Sequence, residues 1–151
     1  LDKMELIEKI YLEFSRYRLN NPITGCYCGV CLTEEFNNDI QKIPLRNISC
    51  ASMNFYLSAV GITDDNCNDF RYFLPRILEI IQTGLSAEND LFYIWNVFYQ
   101  IDFSNWEHQE IKLVEEFFRL FWIGDKFDDE QYLVVGDINE IKKIIFESRK
   151  W

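Results

Sequence analysis

Histidine, glycine and proline are the scarce residues of this 151-residue chain, with one His, six Gly and three Pro. A single histidine, His108, leaves little room for imidazole chemistry, because a general base working near neutrality is most often a histidine. Few glycines and prolines exclude long loops and a succession of tight hairpins. No apolar run reaches bilayer length; the stretch from Leu91 to Gln100 stops well short of a span. No basic segment followed by an apolar stretch opens the chain after Leu1, so a cytoplasmic protein is expected. Basic residues are also in deficit, 15 Lys and Arg against 25 Asp and Glu, a formal net charge of −10. That balance repels nucleic-acid phosphates and anionic lipid headgroups, so neither is an expected partner, and it attracts cationic proteins.

What the chain does have is bulk apolar surface. Hydrophobic residues make up 48 % and aromatics 17 %, with 13 Phe, 8 Tyr and 4 Trp. Such a chain buries a real core, and its length fits one domain, 1–151. The five cysteines are odd in number and too sparse for a secreted disulfide scaffold, so reduced thiols are expected.

Helical periodicity dominates. Met4, Ile7, Tyr11, Phe14 and Arg18, widened by Ile10 and Tyr17, predict an amphipathic helix over 2–19 with Asp2 near its cap. Asn20-Asn21-Pro22 ends it. Thr33 is positioned to cap a short helix to about Lys42, and Ser49 a helix carrying Met53, Tyr56, Leu57 and Val60. Phe70, Phe73, Leu74, Ile77, Leu78 and Ile81 form one apolar face. Pro75 interrupts it, predicting an irregular first turn or kink, with regular helix from Pro75 to Thr83. Asp69 reads as a cap of that helix, and Arg71 or Arg76 as a partner of local carboxylates.

Leu91, Ile94, Trp95 and Phe98 predict another helix. Ser104 and Glu107 have capping-box spacing before a long helix reaching Trp122. Ile138, Ile141, Ile144 and Ile145 close the series. Tyr132 to Val135 is the single β-like run, and one strand makes no sheet. The expectation is an all-α fold, a single compact bundle of six to seven helices with one helix kinked at Pro75.

The sharpest chemical signal is Cys26-x-Cys28-x-x-Cys31. Three thiolates so close suit zinc, with Cys50, Cys67 or His108 as a fourth ligand. A second knuckle is missing, so unmetallated thiols are the favoured reading and no cofactor is expected. His108 has no nucleophile placed with it, and no catalytic residue is assigned. Asp64-x-Asn66-x-Asn68 begins like a calcium loop, but Asp69 stands where glycine is required and Pro75 where a bidentate glutamate belongs. Calcium is rejected. The carboxylates of Asp64 and Asp65, and of Asp125, Asp128, Asp129 and Glu130, lie in polar stretches beside aromatic-rich helices. Carboxylates beside Tyr, Trp and Phe suit Arg- and Lys-rich protein partners, and these six are the expected contacts.

Cys28 and Cys31, then Pro44-Leu45-Arg46 with Ser49, then Tyr56 and Ala59, lead to Asp69-Phe70-Arg71-Tyr72-Phe73-Leu74-Pro75-Arg76-Ile77-Leu78-Glu79. This pattern, about a third of the chain, resembles a family of small bacterial helical proteins. Some members are similar to toxin immunity proteins of the contact-dependent growth inhibition type. Family members often have histidine where Tyr72 stands, so no role for that histidine carries over. The resemblance implies no enzymatic activity; it implies a cytosolic protein that occludes a basic toxin domain, commonly a nuclease. A general protein-binding adaptor is the alternative, and a metal-dependent enzyme built on the Cys cluster comes third.

Overall fold

The computed structural model describes residues 2–25, 27–28, 31–59, 67–83 and 100–123. Among them the regular structure is helical, five α-helices with short 3₁₀ and π turns and no strand. The fold class is therefore all-α. The helices expected around 91–98 and 138–145, and the β-like run at 132–135, lie outside the described residues. No helix of the described residues is long and apolar enough to cross a membrane. The chain divides into two compact units, residues 14–101 and the two ends, 1–13 with 102–151.

In the unit of the two ends, α1 (Lys3–Glu13) buries Leu6, Ile7, Ile10 and Tyr11 and packs against α5 (His108–Phe117). Those four positions are the i, i+1, i+4, i+5 stripe of a 3.6-residue helix. Met4, expected on that face, is 76 % exposed, because the stripe centres on Leu6 and Ile10 instead. Asp2 caps as expected, its Oδ1 accepting from Glu5 N at 2.8 Å. The helix stops at Glu13, not at residue 19. From there Tyr17 N turns back to Phe14 O, and the Arg18 guanidinium donates to the carbonyls of Ser15 and Tyr17. These bonds satisfy carbonyls that a further helical turn would otherwise have used.

The expected Ser104–Glu107 box is displaced by three residues. Asp102 Oδ1 accepts from Ser104 N at 3.0 Å and opens a 3₁₀ turn, Phe103–Asn105, in which Phe103 and Trp106 pack 4.7 Å apart. Helix α5 then starts at His108, with Glu107 as its cap and the fully buried Glu110 accepting from Glu107 N at 2.8 Å. The Asp102 carboxylate captures the N–H of Ser104, so the chain reaches α-geometry only after Trp106. Leu113, Val114 and Phe117 give α5 its buried face, and the helix passes into a π turn, Phe118–Ile123.

In the unit 14–101, α2 (Glu34–Lys42) and α3 (Cys50–Ala59) start where expected. Thr33 Oγ1 accepts from Phe36 N at 3.1 Å, and Ser49 Oγ from Ser52 N at 3.1 Å. A 3₁₀ turn, Leu45–Asn47, joins them, and α4 (Cys67–Thr83) packs against both α3 and that turn. Phe36 and Phe55 meet at 4.7 Å, and Tyr56 and Phe73 at 4.5 Å. Arg76 reaches across to the Ile48 carbonyl at 2.8 Å and pairs with Glu79 at 2.6 Å. Helix α4 is α-helical on both sides of Pro75, so of the kink or irregular first turn expected there the irregular turn is absent, and the regular helix from Pro75 to Thr83 is present. Proline forfeits only the bond to the Arg71 carbonyl. The residues ahead of it are fixed by burial, Asp69, Phe70, Phe73 and Leu74 all being inaccessible to solvent.

Candidate functional site

Asp69 is not a cap. It lies inside the first turn of α4 at 0 % exposure, and its carboxylate accepts three N–H bonds from the loop that follows Tyr17. Asn20 N donates to Oδ1 at 2.8 Å, Thr24 N to Oδ2 at 2.8 Å, and Asn20 Nδ2 to Oδ2 at 3.3 Å. A buried carboxylate is tolerated when its lone pairs are taken up this way. A second buried polar side chain, Asn37 of α2, holds the same loop from the other side. Its Oδ1 accepts from Ile23 N at 2.9 Å, and its amide donates to Asn21 Oδ1 at 3.1 Å. Gln41 adds a bond to the Asn20 carbonyl at 2.7 Å. Two helices thus fix residues 20–24 through side chains.

The loop fixed in this way borders an open cleft of about 800 Å³. Its apolar lining comes from Pro22, Leu32 and the ring of Tyr27, which is 39 % exposed and held by its hydroxyl donating to the Ile23 carbonyl at 2.7 Å. The polar lining is Asn21, Thr33, Asn37 and Asn38, and among the described residues the one charged lining side chain is Glu34, in the first turn of α2. Thr33 and Asn37 spend their bonding capacity within the fold. Glu34 and Asn38 are exposed, and their side chains take no hydrogen bond from the described residues. The described lining therefore offers acceptors and a net negative charge.

Electrostatics at the loop follow from the same groups. Burial pushes the Tyr27 phenol above its ordinary value of 10.0, and the Asp69 carboxylate adds to the rise. Burial also raises Tyr72, against a smaller opposing pull from Arg18. Arg71, largely buried, donates to the Tyr17 hydroxyl at 3.0 Å and lies 5.3 Å from that ring's centroid; the pairing with a local carboxylate expected of Arg71 or Arg76 is made by Arg76, to Glu79. Because the folded state holds the two phenolic protons more tightly than the unfolded chain, their contribution to stability is intact below pH 10. It is lost as pH rises through the folded-state values. Urea titrations at increasing alkaline pH should show falling stability from that point, and phenolate absorbance should include two late-ionising tyrosines. A spectrum in which every tyrosine ionised at the ordinary value would contradict the burial.

The residues expected to contact a partner, Asp64, Asp65, Asp125, Asp128, Asp129 and Glu130, lie outside the described residues. So does Cys26. Cys28 is exposed and Cys31 half-buried, and among the described residues no three His, Cys, Asp or Glu side chains gather as a metal would require. His108 is exposed at the first residue of α5. The cleft was not foreseen from the sequence. Its one available signal is the pair of polar side chains, Asp69 and Asn37, placed on the apolar faces of α4 and α2 beside Phe70 and Ile40.

Comparison of the chain with protein-family models, with curated proteins and with solved structures finds no match.

Proposed function

We propose that this protein is an immunity-type binding protein that takes up a basic bacterial toxin domain, a nuclease by preference, and neutralises it by covering its active site or substrate surface. The observation that carries this reading is the net charge of −10. A nuclease must present a cationic cleft to phosphates, and an anionic protein surface is its electrostatic complement. Exposed carboxylates at the cap and on the face of α1 (Asp2, Glu5, Glu8) and on α2 (Glu34, Glu35, Asp39) support it. The protein works in the cytoplasm, by occlusion and not by catalysis, with Asp64, Asp65, Asp125, Asp128, Asp129 and Glu130 as contacts. A general adaptor domain is the second reading, and would bring down a cellular partner in a strain without the toxin gene.

Charge of this kind acts mainly on encounter. Association with the basic terminal domain of a toxin encoded beside this gene should slow about 10- to 100-fold between low and high salt. Asp125→Lys, Asp128→Lys and Asp129→Lys together should slow it comparably at low salt. Stopped-flow or surface-binding kinetics read both effects. A partner that proved neutral or acidic, or an association rate indifferent to salt, would remove the reading.

A further inference from the structure

We propose that the cleft lined by Tyr27, Glu34 and Asn38 receives an arginine side chain of the partner, an inference that rests on the basic-partner reading and gives it an anchor point. Among the described residues Glu34 is the one charged group lining the cleft, and none of them brings a cation to it. Asp69 lies close enough to Tyr27 to raise its phenol, and that carboxylate is answered by three N–H donors with no cation paired to it among the described residues. The local field is therefore negative in excess of the single lining carboxylate. An anionic ligand is disfavoured for the same reason, and the α2 N-terminus is already occupied by the Thr33 cap and by Glu34 and Glu35.

The bonding inventory favours guanidinium over ammonium. Glu34 presents two carboxylate oxygens and Asn38 an amide oxygen, none of them bonded by the described residues, and Asn21 Oδ1 accepts only one bond. Guanidinium carries five donors in a planar fork that meets a carboxylate in two parallel bonds, where ammonium acts as a point charge. The Tyr27 ring is exposed and immobilised by its bond to the Ile23 carbonyl, so it offers a fixed face to a planar cation. Pro22 and Leu32 supply apolar surface for the methylene stem. A volume of about 800 Å³ accommodates that side chain together with its flanking backbone.

The test uses the full chain and a defined probe, N-acetyl-arginine methylamide, titrated while the Tyr27 ring and Asn38 side-chain amide resonances are followed by NMR. Saturable millimolar binding is expected, with the lysine analogue several-fold weaker and acetate without effect. Glu34→Gln should weaken binding about tenfold, the loss of one charge-assisted bond. Asn38→Asp, which adds a second carboxylate, should tighten it; circular dichroism confirms that both variants keep their helices. Absence of any shift at these resonances, equal affinity in Glu34→Gln, or preferential binding of acetate would overturn the arginine site. If both variants left affinity for a basic toxin domain unchanged, the arginine site would fall while the basic-partner reading stood. Arginine-analogue binding by a chain that engages no basic protein would leave the site standing and remove the reading.

Discussion

Phe73→Ala should lower stability by about 3–5 kcal/mol, the range for emptying a fully buried aromatic site. Phe73 is 0 % exposed on α4, and its ring meets Tyr56 of α3 at 4.5 Å and the edge of Tyr72 at 5.3 Å. The tilted pair with Tyr56 adds about 0.5–1.5 kcal/mol to the lost burial. Collapse around the hole is opposed by Phe70, Leu74 and Ile77, themselves buried on the same helix. Phe73→Leu retains most of the volume and should cost less than half as much. Urea denaturation followed by circular dichroism would measure both, as a lower midpoint at unchanged slope. A loss below about 1 kcal/mol for the alanine variant would mean that α3 and α4 do not share this packing.

The helices of the unit 14–101 were legible in the sequence because their signals are local. Thr33 and Ser49 are capping residues three positions ahead of the N–H groups that they accept, and Phe70, Phe73, Leu74, Ile77 and Leu78 fall on one face of any regular helix. The same local logic misplaced the start of α5. The Ser104 box needed the N–H of Glu107, but that group donates to the Glu110 carboxylate while Asp102 takes the N–H of Ser104, and spacing alone does not rank a carboxylate above a hydroxyl. It also overextended α1, since Tyr17 and Arg18 continue the apolar spacing while their side chains engage Arg71 and the carbonyls of the turn. Pro75 illustrates the reverse case. A local penalty predicted a kink or an irregular first turn, and with the residues on either side buried the helix runs on through the one missing bond.

The cleft was not legible, because no part of it is encoded over a short stretch. Asp69 reads locally as a polar residue near a helix start, yet its partners Asn20 and Thr24 lie 49 and 45 positions away. Asn37 reads as one of two surface asparagines, Asn37-Asn38, and only the fold separates the buried one from the exposed one. Long-range side-chain bonds shape the loop 20–24, and the loop in turn brings Pro22 and Tyr27 to the cleft beside α2. Site and fold are thus joined at one residue.

Asp69→Ala should accordingly cost about 2–4 kcal/mol and remove the cleft as well. The substitution strands the N–H groups of Asn20 and Thr24 and the Asn20 amide, donors that the carboxylate now satisfies. An unsatisfied buried donor costs about 1–3 kcal/mol, and the upper end does not apply in full because Asn20 and Thr24 reach solvent once the loop loosens. Asp69→Asn tests the charge separately: one amide oxygen still accepts, while its NH₂ faces a donor, so it should lose a smaller part of the stability. The phenol of Tyr27 supplies a second readout, since Asp69 contributes to its raised value; in Asp69→Asn that phenol should ionise at lower pH than in the parent protein. Amide hydrogen exchange at Ile23 and Thr24 should quicken in the alanine variant while exchange in α5, which belongs to the other unit, holds. If the alanine variant melted like the parent and Tyr27 ionised unchanged, the carboxylate would not be the tie between α4 and the loop, and the negative field assigned to the cleft would lose its buried half.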